Sequence, residues 1–330
     1  MTTTHRIPRR TAAAWLGASV LAPWSARAQP GGYPDRPVKV IVPFVPGGNA
    51  DSTARIFAEA YGRRLGQPFV IDNRGGAGGM IGAVQVVRAD PDGHTLMIGT
   101  TAPIVSSWQL AGKAAQYTLA DFRPIASLSF VPGVLVVHAA SPVRTFQDFA
   151  AAAKTRPGGL RIGHPGNGTA GHVNILQLQK ELATQFIKAG YKGAGPAVQD
   201  LLGDQLDAVA TDLPSVLPLV KGGKLRAIGI VFAKRVASVP DVPTMSELGR
   251  PGVNIAPFTA LMGPRDLPDG IAARLADTNR AVLGDAGLRG RLEAIGGIPA
   301  PMETRQFGKF LEAQTSTYAD LVKTGLLTAE

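Results

Sequence analysis

The stretch Pro43-Phe44-Val45-Pro46-Gly47-Gly48-Asn49-Ala50-Asp51 carries an apolar strand through prolines and two glycines straight into a helix. Upstream, Val38-Lys39-Val40-Ile41-Val42 is β-branched and short enough for a buried strand. Downstream, Ala54, Phe57, Tyr61 and Leu65 share one helical face. The loop therefore joins a strand end to a helix N-terminus. There the first backbone N–H groups have no intrahelical acceptor and the helix dipole adds partial positive charge. A carboxylate or phosphate can be held at such a place without a charged side chain. Gly-Gly with Asn and Asp also makes an ordinary turn and helix cap, so this stretch by itself leaves both readings open.

The device recurs along the chain. Pro68-Phe69-Val70-Ile71-Asp72 reads as a second strand and runs into Asn73-Arg74-Gly75-Gly76-Ala77-Gly78-Gly79-Met80-Ile81-Gly82, followed by a helix from Ile81 to Ala89. A third strand, Thr95 to Thr100, ends in small polar residues at Thr100 and Thr101. The extended segment Ile125 to His138, broken by Pro132-Gly133, suits a crossing between lobes. Beyond it, Leu160 to Gly163 leads into a third glycine loop, His164-Pro165-Gly166-Asn167-Gly168-Thr169, with Thr169 placed to cap the next helix. Strands at Thr184 to Tyr191 and Leu206 to Thr211 follow, each with its helix, and Leu225 to Phe232 can return the chain to the first lobe. From Val242 to Glu330 the pattern reads as mostly helix. Repeated strand, loop and helix imply parallel sheets with right-handed crossovers, whose ligands gather beyond the carboxyl ends of the strands.

Composition narrows the function. At 330 residues, with 40 Gly and 26 Pro spread as punctuation, the chain is a loop-rich α/β protein with room for two lobes. Arg6, Arg9 and Arg10 precede an apolar run from Ala12 to Trp24, and Ala26-Arg27-Ala28 has the small residues of a cleavage site. Residues 1–28 are therefore read as a signal peptide, exported by general secretion or, given Arg9-Arg10, by the twin-arginine route, with the mature chain starting at Gln29 in the periplasm. No later run reaches the roughly 20 apolar residues that span a bilayer. The absence of cysteine excludes disulfides, thiol catalysis and thiolate metal sites. Residues 1–28 hold four Arg and no acid, so the formal charge of +10 falls to +6 in the mature chain. Those charges are scattered, which argues against nucleic acid and for anionic small ligands.

Searches for catalytic chemistry mostly fail. There is no phosphate-binding G-x-x-x-x-G-K-S/T loop, no H-E-x-x-H pair and no G-x-S-x-G elbow. In Gly76-Ala77-Gly78-Gly79-Met80-Ile81-Gly82 the last glycine falls one position late for a dinucleotide fingerprint. The histidines lack metal-ligand spacing, and neither a cofactor nor a metal is expected. His172, on the first helical turn after the third loop, either donates to a ligand carboxylate or bonds within its own loop. Asp212 and Asp51 each either cap a helix or meet a ligand, and Arg74, Lys188 and Lys192 are the cations nearest this edge.

The order of these motifs resembles a known family, the extracytoplasmic solute receptors of tripartite tricarboxylate transporters, of the Bordetella uptake gene type. The matching residues are Tyr33-Pro34-Asp35-Arg36-Pro37, Val42-Pro43-Phe44 with Pro46-Gly47-Gly48 and Asp51, Leu65-Gly66-Gln67-Pro68, Asn73-Arg74 with Gly76-Ala77-Gly78-Gly79 and Ile81-Gly82-Ala83, and Pro91-Asp92-Gly93. Further on, Gly166-Asn167-Gly168-Thr169 with His172, Tyr191-Lys192-Gly193 and Asp241-Val242-Pro243-Thr244 also match.

The resemblance implies a two-lobed periplasmic-binding-protein fold of type II, the Venus flytrap, with lobe 1 at 33–135 and 232–330 and lobe 2 at 136–231. It implies a non-enzymatic, monomeric receptor that captures a small organic carboxylate and delivers it to membrane permease subunits. Carried over, Pro46, Gly47, Gly48, Asn49 and Asp51 with Arg74, Gly76, Ala77, Gly78 and Gly79 would seat one carboxylate, beside Thr101. Gly166, Asn167, Gly168, Thr169, His172, Tyr191 and Asp212 would face the ligand's other end. Gly75 stands where the family has Pro, Lys188-Ala189-Gly190 where it has His-Val-Pro, and Leu213 where it has Asn, so the carboxylate itself stays open. A sensor that signals to a membrane kinase and a secreted hydrolase or transferase are the alternatives.

Overall fold

The computed structural model describes residues 1–2, 32–156 and 158–328. The signal peptide read at residues 1–28 lies outside them but for its first two residues. The fold belongs to the unit that starts at Tyr33.

β1 (Val38–Val42) and α1 (Asn49–Leu65) show why the first unit forms. Val38, Val40 and Val42 point to one face of β1 and pack with Ala54, Phe57 and Tyr61 of α1, while Ile41 points to the other, with Ala83 and Met97. A strand buried on both faces needs apolar side chains at successive positions, which Val40-Ile41-Val42 supplies. β2 (Phe69–Asn73), α2 (Met80–Val87) and β3 (Thr95–Thr100) complete the parallel part, β1 pairing with both β2 and β3. After β3 come one π-helical turn, Ala102–Ser106, then α3 (Ser107–Ala111) and β4 (Phe122–Phe130).

Past Pro132 the chain enters a second sheet. β5 (Gly133–His138), α4 (Phe146–Thr155), β6 (Leu160–His164), α5 (Ala170–Leu182), β7 (Phe186–Gly190), α6 (Ala194–Leu202), β8 (Ala208–Asp212), α7 (Leu213–Lys221) and β9 (Leu225–Val231) build it. Its strand order is β7-β6-β8-β5-β9, with side chains of β5 alternating between two cores, Val134 and Val136 in one, Leu135 and Val137 in the other. The chain then returns as β10 (Phe258–Pro264), α8 (Asp269–Gly284), α9 (Ala286–Ala294), β11 (Ile298–Pro299) and α10 (Thr304–Lys323). The first sheet reads β11-β4-β10-β3-β1-β2. α10 buries Phe307, Leu311 and Tyr318 against β4 and the π-helical turn, returning the C-terminal helix to the first sheet.

Two expectations are corrected. The segment from Val242 onwards is not simply helical: β10 lies inside the first sheet, antiparallel to β3 and to β4. Its seven residues are all buried, so its sequence lacks the alternation of a half-exposed strand, and prolines close to both ends masked it. The sheets are therefore mixed, since β5 also runs antiparallel to β8 and β9, whereas β6 is parallel to β7 and β8. Antiparallel strands appear where the chain changes sheets.

Candidate functional site

The cleft lies between the two sheets, at the loops that end their strands. Two adjoining cavities occupy it, and both are bordered by Phe44 and Pro165. The inner one, about 50 Å³, is bounded by Gly48, Asn49 and Ala50 at the start of α1, by Thr101 after β3, and by Thr169, Ala170 and Asp212 from the opposite side. The outer chamber, about 370 Å³, is lined by Gly76 to Met80, Ser107 and Leu110 on one side and Gly166, Asn167, Tyr191 and Lys192 on the other.

The first loop leaves its helix end open. Gly48 precedes α1 in extended backbone and no side chain caps the helix. Ser52 is the first residue whose N–H bonds back, to Gly48 O at 3.0 Å, so the helix itself offers no acceptor to Asn49, Ala50 or Asp51. The Asn49 side chain turns away to Thr259 and Thr53, leaving its backbone to face the cavity. Across the cleft, Ser215 Oγ accepts from Asn49 N–H at 3.0 Å and donates to Asp212 Oδ1. Asp212 caps α7, and burial raises its carboxyl above the ordinary range despite the Ser215 hydrogen bonds.

Asp51 does not border either cavity. Its carboxylate accepts from Gly47 N–H at 3.1 Å and pairs with Arg55 at 2.9 Å. Burial alone would push it up, yet Arg55 and the Gly47 amide hold it below the usual carboxylate range. Asp51 thus shapes the loop. Pro46 and Gly47 belong to the same turn and stand off the cavities, and Arg74 is half exposed, paired with Asp72 at 2.8 Å.

In the second loop Ala77, Gly78 and Gly79 all take positive φ, at 49°, 62° and 93°. Gly78 is required: a Cβ there would lie 2.8 Å from Asn167 O, which belongs to the third loop across the cleft. Ser107 Oγ donates to Gly78 O at 2.8 Å and holds the turn. The third loop is braced by histidines instead. His164 Nδ1 accepts from Gly166 N–H at 3.3 Å, His172 Nδ1 accepts from Gly168 N–H at 3.2 Å, and the two rings stack 4.5 Å apart. Thr169 caps α5, accepting from His172 N–H and donating to Gly166 O at 2.7 Å. Ser106 Oγ reaches across to Gly168 O at 2.6 Å. Tyr191 borders the chamber, but its hydroxyl donates to Asp200, and burial with that neighbour pushes the phenol up to about 12.

Of the residues expected at the site, the structure brings twelve to the two cavities: Gly48, Asn49, Gly76 to Gly79, Thr101, Gly166, Asn167, Thr169, Tyr191 and Asp212. Pro46, Gly47, Asp51, Arg74, Gly168 and His172 do not border them. Ser215 and Phe44 were missed. Ser215 lies three residues into the turn that Asp212 begins, a signal that was present in Asp212-Leu213-Pro214-Ser215. No group of acids and histidines suited to a metal ion occurs among the described residues, and none of the helices described is long and apolar enough to cross a membrane.

The sequence model described as "Tripartite tricarboxylate transporter family receptor" matches residues 53–326. The chain belongs to that receptor family. Protein BugT of Bordetella pertussis is 37% identical over 251 residues, covering 75% of each chain. The solved "Structure of a periplasmic transporter" superposes with a TM-score of 0.87 at 32% identity, covering 90% of this chain and 99% of the other. R. palustris Rpa4515 with adipate gives 0.85 at 31%, covering 88% and 98%. Likeness of this degree shows the two-lobed periplasmic solute-binding fold.

Proposed function

We propose that the protein is a periplasmic receptor that closes its two lobes on a small organic carboxylate and hands it to the permease subunits of a tripartite transporter. The observation that carries this reading is the uncapped start of α1, whose first amides border a cavity enclosed between the two sheets. R. palustris Rpa4515, 31% identical and alike in fold, holds adipate, a carboxylate, in its structure. The lobes are 33–135 with 232–330 and 136–231, linked by the two passages of chain between the sheets. Such links absorb the rotation of hinged closure.

The protein acts as a monomer without cofactor or catalysis. The cleft serines support the absence of nucleophilic catalysis: Ser215, Ser107 and Ser106 donate to a carboxylate or to backbone carbonyls, not to an imidazole base. Export follows from the leader at residues 1–28. The test is thermal unfolding of the mature chain against a panel of mono-, di- and tricarboxylates. Binding to the folded state alone raises the midpoint with ligand concentration, and no shift with any acid at millimolar excess contradicts the reading.

A further inference from the structure

The starts of α1 and α7 face each other across the cleft, one following a strand of the first sheet and the other a strand of the second. Their first turns are satisfied in opposite ways. In α7 the first three positions leave nothing to donate: Leu213 N–H goes to Pro132 O at 2.8 Å, Pro214 has no N–H, and Ser215 N–H goes to Asp212 Oδ1 at 3.3 Å. The Ser215 hydroxyl also gives its proton to Asp212 Oδ1, which turns the Oγ lone pairs towards α1. In α1 the helix supplies no acceptor for Asn49 N–H, and Ser215 Oγ takes it at 3.0 Å. This bond joins the opposite walls directly. The inner cavity of about 50 Å³ stays open beside it, with Ala50 and Ala170 on its walls, so a guest and the bond can occupy the cleft together.

We infer that Ser215 is an interlobe latch: its hydroxyl, aimed by Asp212, holds the closed form through Asn49 N–H without touching the ligand, and the empty protein therefore also visits that form. The role in capture rests on the receptor reading above; the bond itself does not. Opening the cleft breaks this bond whatever acid lies inside, so its contribution to retention is the same for every ligand. Once open, both partners find water, and the net worth of the latch is that of one neutral hydrogen bond.

The experiment compares the mature protein with Ser215→Ala in two arms. The first is amide hydrogen exchange of the acid-free protein, read by NMR as slowing relative to an unstructured chain. Asn49 N–H is slowed about threefold or more beyond Ala50 N–H, which the helix also leaves without an acceptor, and in Ser215→Ala the difference disappears. The second is stopped-flow displacement of bound adipate, succinate, malate and benzoate. Ser215→Ala speeds the release of each one that binds by the same factor, about fivefold. Asn49 exchanging as fast as Ala50 in the native chain, Asn49 staying protected in Ser215→Ala, or release altered for one acid alone would overturn the latch while leaving the receptor reading intact. If the variant does not fold, exchange in the native chain decides alone. Failure of every acid to bind removes the receptor reading, and the latch's role in capture with it, whichever way Asn49 exchanges.

Discussion

The helices α1 and α5 both follow a strand and a glycine loop, and both point their N-termini at the cleft, yet their first turns are wired differently. At α5 three amides of the loop and first turn are engaged from within: Thr169 takes His172 N–H, His172 takes Gly168 N–H and His164 takes Gly166 N–H. At α1 the loop engages only Gly47 N–H, through Asp51, and the helix start is met from across the cleft by Ser215. Similar sequence patterns thus give one turn braced by its own side chains and one braced from across the cleft. The glycines show where the chain turns, but the direction of each N–H depends on which side chains return to it.

The comparison breaks most sharply at packing. Gly171, in the first turn of α5, has no room: an added Cβ would lie 2.3 Å from Ala210 O, a backbone atom of β8. Gly171→Ala should cost about 3 kcal/mol in urea unfolding. Gly48, the residue before α1, has φ of −87° and would bring a Cβ no nearer than 3.8 Å to Ser215 Oγ, so Gly48→Ala should keep stability within about 0.5 kcal/mol. Equal losses at the two positions would dissolve the distinction.

Binding should be more sensitive than folding at Gly78, where the second loop touches the third. Gly78→Val puts carbon against Asn167 O and Ser107 Oγ and hinders approach of the lobes. Carboxylate affinity should fall roughly 30-fold or more, about 2 kcal/mol, with a smaller loss in unfolding free energy. A variant that binds normally would mean the loops need not meet.

Two carboxylates test the wiring through pH, with opposite signs. Asp51 is held below its ordinary range, so its contribution is present above the unfolded carboxylate range and is lost as pH falls through its folded pKa. Asp51→Ala should cost about 1–2 kcal/mol near neutral pH and little in acid, and should weaken binding by loosening the first loop. Asp212 is raised by burial, so its ionisation opposes folding above its folded pKa. Asp212→Asn should therefore be more stable than the native chain near neutral pH, the difference shrinking as pH falls below the folded pKa of Asp212 and vanishing only below the unfolded carboxylate range. Parallel pH profiles for the two variants would show that one carboxylate has been misassigned.

Much of this was legible in the sequence because it is local. The β1 and α1 unit follows from the buried run Val40-Ile41-Val42 and the helical face of Ala54, Phe57 and Tyr61. Thr169 as a cap of α5 was readable from its place before the helix. Features set by distant partners were not. β10 is a strand because β3 and β4 flank it, and Ser215 matters because Asn49, 166 residues away, meets it. Asp51 and His172 were placed near the ligand by position, but short-range bonds draw both back to their own loops.

The central claim is that α1, and not α5, seats the carboxylate. Amide chemical shifts of the isotope-labelled mature protein, followed while a binding carboxylate is added, test it directly. The account predicts that the largest displacements fall on Asn49 and Ala50, with smaller ones at Gly168 to His172. Displacements concentrated on Gly168 to His172, with Asn49 and Ala50 unmoved at saturation, would contradict it.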